Sequence, residues 1–259
     1  MKEIVIIGSG NLAESLAVAV AAAPELQLVQ LFARNEARGR EVAALAGTAW
    51  CGDAARLARA ELYLIAVSDR AVAEVAAQLP LPADAAVAHT AGCVPLEALP
   101  ERYARRAVFY PMQTFTRGRR VDFAEIPIFI EASTPALCDE LEACARCLSR
   151  RVLRSDSARR ARIHLAAVFA CNFANHMYAL GERLARDAGL DFGVLKPLVM
   201  ETARKACDAA SPADVQTGPA VRGDLATQQR HLALLGEQPS LQEIYKLISN
   251  HIWETSRKI

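Results

Sequence analysis

The sequence predicts an α/β chain: a doubly wound, mainly parallel sheet over residues 1–155, followed by an all-helical half over 156–259. Three observations predict it. Apolar runs such as Ile4–Ile7, Leu62–Val67 and Ala86–Thr90 are continuous rather than alternating, as parallel strands need when helices cover both faces of a sheet. Segments with helical periodicity stand between these runs, and that alternation builds parallel sheets. After Ser155-Asp156-Ser157, a helix-start signal, nothing reads as a strand. At 259 residues the chain suits two domains better than one.

The hydrophobic fraction of 53% and charged fraction of 23% are ordinary for a globular protein. A net charge of +1 supplies no field to attract nucleic acid or an anionic membrane, so neither is expected as a partner. Met1-Lys2 runs straight into the first strand, and no apolar run reaches the length of a membrane span. A cytoplasmic protein is expected, with its seven cysteines as reduced thiols. Cys144-Ala-Arg-Cys147 has Cys-x-x-Cys spacing, but Cys144 stands in the apolar stripe Leu137, Leu141, Cys144, Leu148 of a helix. Both thiols are read as small hydrophobes, and no metal-ligand cluster is evident.

Taken in order, the first strand ends in Gly8-Ser9-Gly10-Asn11-Leu12-Ala13, and an alanine-rich helix follows to about Ala22. Gly8 permits the tight strand-to-helix turn, Gly10 lets a pyrophosphate approach the backbone, and Ala13 allows close helix–strand packing. The free amides and dipole of the helix start favour that anion. A lone Gly-x-Gly-x-x-Ala is weak, but its place between a strand and a helix at the N-terminus makes it a dinucleotide signal.

Leu26 to Ala33 form the second strand, which ends in Ala33-Arg34-Asn35 where NAD-specific proteins commonly carry a carboxylate for the ribose hydroxyl. Arg34, with Arg38 one helical turn on, suits a 2′-phosphate, so NADP is expected ahead of NAD. Glu36 to Ala46 continue as a helix, Ala49 to Cys51 as a short strand, and Asp53 as a cap of the next small helix. Leu62–Val67 is followed by Ser68 and Asp69. Val67, Ser68 and Asp69 should border the ligand, although Asp69 reads equally as the cap of a helix starting near Ala71.

The strand Ala86–Thr90 leads to Ala91-Gly92, whose small side chains allow a flat ring to approach the backbone. His89 reads as a core histidine ahead of a proton donor. Val108 to Tyr110 begin the next strand, 116–124 reads as a mobile polar loop, and Ile126–Glu131 and Val152–Arg154 close the sheet.

In the second half a long helix runs from Ala158 to about Asp187, apolar nearly all round between Ile163 and Ala170, a pattern usually buried in a bundle or against a partner. His164, Val168, Asn172, Asn175 and His176 fall along one side of it at helical spacing, as core hydrogen-bonding groups or as the lining of a cleft. Helices follow over Phe192–Ala209, from Asp224 to about Leu235, and from Ser240 to Ser256. The Gly218-Pro219 loop presents Arg222 just before a helix on which Asp224, Thr227 and His231 share a face.

Gly8-x-Gly10-Asn11, Arg34-Asn35, Val67-Ser68-Asp69, Ala91-Gly92 and then an all-helical half make a recognisable order. The chain resembles the superfamily containing pyrroline-5-carboxylate reductase, deazaflavin-dependent NADP oxidoreductase and the 3-hydroxyacid dehydrogenases. It looks most like a Rossmann-like domain joined to a helical domain of unknown function, family 2520. Tyr110-Pro111-Met112-Gln113-Thr114-Phe115 and Gly218-Pro219-Ala220-x-Arg222-Gly223-Asp224 are the more specific matches.

The resemblance implies a nicotinamide-binding domain, a helical dimerisation domain like the C-terminal part of 6-phosphogluconate dehydrogenase, and an active-site cleft between them. Nicotinamide is then expected over Ala91-Gly92, faced by Asn172, His176, Arg222, Asp224 and His231. Arg222 is the expected partner of a substrate carboxylate. His231 is the favoured proton donor ahead of His176, because Asp224 and Thr227 share its helix face. The 3-hydroxyacid dehydrogenases carry a catalytic lysine four residues before an asparagine. If Asn172 is that asparagine, Val168 stands where the lysine should be, and residues 3–195 contain no lysine. The expectation is therefore a homodimeric NADP-dependent oxidoreductase acting on a small polar or carboxylate imine or carbonyl compound. The alternative is a dinucleotide-binding sensor without catalysis.

Overall fold

A computed structural model describes residues 1–256 of the chain. An eight-stranded sheet has the order β3-β2-β1-β4-β5-β6-β7-β8. Its strands are β1 (Glu3–Ile7), β2 (Gln27–Phe32), β3 (Ala49–Cys51), β4 (Leu62–Ile65), β5 (Ala86–His89), β6 (Arg105–Pro111), β7 (Ile128–Ala132) and β8 (Val152–Arg154). All pairings are parallel except β6 with β7, so the last two strands run against the rest. The order turns back at β1, with β2 on one side and β4 on the other, and this is the switch point of a doubly wound sheet.

Side chains alternate between two enclosed layers. Ile4, Ile6, Leu64, Ala88 and Phe109 face helices α1 (Asn11–Ala22), α2 (Glu36–Leu45) and α4 (Pro135–Arg146). Val5, Ile7, Ile65, Val87 and Tyr110 face α3 (Val72–Gln78) and the segment 96–103. With helices on both sides, the central strands are apolar over nearly their whole length, as their continuous runs require, with the enclosed His89 at the end of β5 the exception inside the core. Cys144 lies in the first layer, where burial pushes its thiol up to about 12 and keeps it a protonated, apolar filler.

The long helix is not uniform. α5 (Ser157–Ala167) passes into a π-helical stretch, Val168–Phe173, before α6 (Ala174–Asp187). A π turn takes up more residues than an α turn, so the spacing that put His164, Val168, Asn172, Asn175 and His176 on one side does not hold through it.

Two compact units result, Met1–Ala174 and Asn175–Ile259. The change from strands to helices falls at 155/156, as the sequence implied, but α5 belongs with the sheet. Arg160, 1% exposed, pairs with Glu131 of β7 and donates to the Val94 carbonyl at 2.5 Å. Ser157 donates to Glu131 at 2.9 Å, and Ile163 packs on the second apolar layer.

The second unit contains α7 (Lys196–Asp208), α8 (Leu225–Leu234) and α9 (Pro239–Ser256) beside most of α6. Among the described residues, α6, α7 and α8 enclose no side chain. Within one chain Ile163–Ala170 is not covered by a bundle: Leu165 and Phe169 are exposed, Phe169 by 63%, which leaves cover by a partner as the open half of the expectation. No helix among the described residues is long and apolar enough to cross a membrane.

Candidate binding site at the carboxyl edge of the sheet

A cavity of about 740 Å³ opens where β1, β2 and β4 end. Its floor is the glycine turn. Gly8 adopts φ +131°, a region that side chains avoid, and a Cβ there would collide with the Ala66 carbonyl. Gly10 is the N-cap of α1 and gives it no side-chain cap, so the first-turn amides are left for another acceptor. A Cβ on Gly10 would meet nothing within 4 Å, so the space beside it is not used by the protein. Open volume, uncapped amides and a helix start together make a place for a pyrophosphate.

Of the expected cofactor residues, Gly8, Ser9, Gly10, Asn11, Leu12, Arg34, Asn35, Val67 and Ser68 line this cavity. Asp69, Ala91 and Gly92 lie outside its lining. Asp69 is exposed and begins a short 3-10 turn after Ser68, and neither Ser68 there nor Ala71 at the start of α3 makes a side-chain capping bond. The capping role for Asp69 is therefore corrected. At the end of β2, Arg34 is exposed in the cavity, and Asn35 caps α2 by accepting from the Arg38 amide at 3.0 Å. Arg38 is committed elsewhere: it pairs with Glu14, pairs with Glu41 at 2.9 Å, and donates from Nε to the Ser9 carbonyl at 3.2 Å. Only Arg34 of the two arginines is thus open to a phosphate. Asp53 also lines the cavity, with its carboxylate capping the Ala55 amide at 2.9 Å.

The loop read as mobile is pinned to the glycine turn and its helices. Asn11 donates to the Phe115 carbonyl at 3.1 Å, Glu14 accepts from the Gly118 amide at 2.9 Å, and Arg117 pairs with Glu41 at 2.7 Å. Arginine-rich composition was read as solvated chain, yet the acidic partners sit far off in sequence on α1 and α2.

Farther along the same edge, His89 is fully enclosed. Its Nδ1 accepts from the Ala91 amide at 3.2 Å, and its Nε2 lies 3.3 Å from the Pro95 carbonyl. Burial, with the Arg160 charge nearby, pushes it down to about 4, so it is a neutral structural histidine. The flat ring that approaches Gly92 is the imidazole of His164: a Cβ on Gly92 would stand 2.5 Å from its Nδ1. That Nδ1 is 2.9 Å from the Tyr110 hydroxyl, and the rings meet edge to face at 5.9 Å. Burial pushes the Tyr110 phenol up to about 12. The pair was not picked out from the sequence, because its members are 54 positions apart and on unlike elements. The only local sign was the missing side chain at Gly92.

The remaining expected site residues are distributed over the helices. Asn172, in the π-helical stretch, and His176, on α6, are exposed. In the second unit Arg222 is exposed, and Asp224 is the N-cap of α8, accepting from the Thr227 amide at 3.0 Å. That bond holds the Asp224 carboxyl below its usual range. The expected orientation of His231 by Asp224 and Thr227 is corrected, since these two pair with each other. His231 Nδ1 instead lies 2.8 Å from the Tyr245 hydroxyl of α9.

Comparison with known proteins agrees with this arrangement. Residues 3–91 match the family model for NADP oxidoreductase, coenzyme F420-dependent. Residues 126–252 match the model for a domain of unknown function, DUF2520. A Bacteroides fragilis protein provisionally assigned as an NADP oxidoreductase is 42% identical, with 98% of each chain covered and a TM-score of 0.89. A Thermotoga maritima protein is 22% identical over 98% of each chain, with a TM-score of 0.72. The reductive aminase of Aspergillus terreus in complex with NADPH and ethyl-5-oxohexanoate has a TM-score of 0.71 at 16% identity, covering 100% of this chain and 94% of its own. No curated protein matches.

Proposed function

From the premise that this chain, which joins an NADP oxidoreductase-type N-terminal region to a DUF2520 domain, belongs to the family of the Bacteroides fragilis protein, we propose that it is an NADP-dependent oxidoreductase. Its substrate is a small polar or carboxylate compound bearing an imine or carbonyl group. The observation that carries this reading is the cavity itself. It combines an uncapped helix start beside an open glycine with Arg34 at the end of β2, which has no ion-pair partner among the described residues. A nicotinamide cofactor bound there supplies or accepts the hydride. The chain's own residues hold it, orient it and exclude water. The provisional assignment of the Bacteroides relative and the NADPH held by the Aspergillus enzyme support the choice of cofactor.

Calorimetry tests the cofactor. A charge-assisted bond from Arg34 to a 2′-phosphate contributes about 1.5–3 kcal/mol, so NADP binds about 10- to 100-fold more tightly than NAD. Arg34→Ala erases most of that difference. Equal affinity for the two cofactors in the unmodified protein overturns the assignment.

Arg222 is the proposed holder of a substrate carboxylate, because its planar fork matches one. Arg222→Ala then weakens substrate binding and leaves NADP affinity within about twofold. The exposed apolar helices support a homodimer. Leu198 of α7 and Leu234 of α8 are 64% and 83% exposed, and a second copy of the same face is the commonest cover for such a surface. One feature favours the second reading, a non-catalytic sensor: with Asn172 taken as the asparagine of the 3-hydroxyacid dehydrogenases, Val168 stands where they carry lysine. NADPH oxidation with any of a panel of imino and keto acids excludes that reading.

A further inference from the structure

Two histidines of the chain meet a tyrosine hydroxyl, His164 with Tyr110 in the sheet unit and His231 with Tyr245 in the helical unit. The sheet-unit pair stands at the edge where an open α/β sheet binds its ligands. His89 of β5 lies opposite Val108, so Tyr110, two residues on, is level with Ala91. β6 is two places from β4, whose following residues Val67 and Ser68 line the cavity. Strands are ~4.8 Å apart, which puts the pair roughly 10 Å along the edge from that cavity. The His164 ring fits there because Gly92 has no side chain. Tyr110, 8% exposed, is enclosed between that ring and Phe129. His164 is half-buried, and its Nε2 has no partner among the described residues.

We propose that His164 donates the proton to the substrate heteroatom during reduction at this edge, and that Tyr110 is the positioning residue that fixes its ring. This rests on the reading of the N-terminal cavity as the NADP site. In its imidazolium form His164 donates Nδ1–H to the Tyr110 oxygen and offers Nε2–H to the substrate. The substrate carbon gains a hydride from reduced nicotinamide, and the C=N or C=O π pair moves onto the heteroatom. That atom takes the Nε2 proton, leaving the substrate reduced, the nicotinamide oxidised and the imidazole neutral, to be reprotonated by water. Tyr110 remains protonated throughout, since its phenol is held far above neutral pH. The titratable and charged groups around the pair are Asp69, Cys93, Arg160 and Cys171.

The test uses the full chain with NADPH and three probes: a cyclic imine, the same ring bearing a carboxylate, and an α-keto acid. His164→Gln lowers kcat about 100- to 1000-fold on whichever probe reacts, with NADPH affinity within about twofold. Tyr110→Phe lowers kcat about tenfold and displaces the pH optimum, which loss of packing alone does not do. Independently of turnover, the imidazole signal missing in His164→Gln is followed by NMR against pH in the unmodified protein. Saturating NADP⁺ brings a positive ring near and lowers its midpoint, and Tyr110→Phe shifts it again. Normal turnover in His164→Gln, or a His164 signal untouched by bound NADP⁺, overturns the proposal. If no probe reacts, the NMR signal decides alone. Failure of NADP to bind at all sinks the cofactor reading instead, and calorimetry separates the two failures.

Discussion

The two units use helices in opposite ways. In the sheet unit α1 encloses Leu16, Ala17 and Val20, and α4 encloses Leu137, Leu141 and Cys144. In the helical unit α6, α7 and α8 enclose nothing, and the buried residues among those described are Ala220, Leu235, Leu241 and Ser249. Yet α6 separates its apolar and polar faces more sharply than α1 does. Amphipathic periodicity says that a face will be covered but not by what. For α1 the cover is the chain's own sheet, and for the helical unit we propose a second copy. The sheet unit's stability is then independent of protein concentration, whereas the helical unit's follows it by mass action.

The largest expected effect tests the self-contained half. Arg160→Met strands Glu131 beside a nearly sealed site, and breaking a buried pair by removing one partner costs about 3–5 kcal/mol. The unfolding free energy from urea titration should fall by that amount at every protein concentration. A loss under about 1 kcal/mol would show that water reaches the pair.

His89 gives the next largest effect. Its folded value is about 4 and its unfolded value about 6.5, so between these the unfolded chain takes up a proton that the folded chain refuses. The contribution is complete above about pH 6.5 and is lost as pH falls towards 4, an integrated change of about 3 kcal/mol. The stability difference between the native protein and His89→Asn should narrow by that much from pH 7 to pH 4. A constant difference means that His89 already carries a proton in the folded state.

A matched pair of leucines sharpens the contrast between units. Leu45 of the sheet unit and Leu198 of the helical unit are similarly exposed, by 57% and 64%. Burying a leucine at an interface contributes about 1.5–3 kcal/mol, so Leu198→Glu should weaken association about 10- to 100-fold, and Leu45→Glu should leave it unchanged. Sedimentation reads both, and equal behaviour removes the distinction. The smallest effect is local: Asp224→Ala removes the cap of α8 and should speed amide exchange in its first turn about fivefold. Acid should act in the same direction, since protonation weakens the bond that holds the Asp224 carboxyl low.

Much of the sheet was legible. The central strands were short apolar runs, and two-sided burial leaves no other composition for the centre of a parallel sheet. The dinucleotide turn was equally legible, because Gly8 is needed for a backbone reason that a local sequence reports, and Gly10 leaves open the space beside the helix start. Arg34 was found because it directly follows a strand, and the cavity contains it. The loop at 116–124 was misread because its anchors, Glu14 and Glu41, and Asn11 on Phe115 just before it, come from elements much earlier in the chain. His231 was given the wrong companions because residues on one helix face look like partners, whereas Tyr245 reaches it from the next helix.

By itself, then, the sequence determined what depends on neighbours along the chain: strand and helix identity, the glycine turn, the cap at Asp53, and the absence of a carboxylate after β2. Only the tertiary structure decided what depends on neighbours in space. It spent Arg38 on Glu14 and left Arg34 open, widened the long helix at Val168–Phe173, and closed the Gly92 gap with His164 beside Tyr110. The physical reason is range. Backbone conformation answers to residues within a turn or two, but a hydrogen bond or ion pair answers only to separation in space, which the packing of distant elements sets.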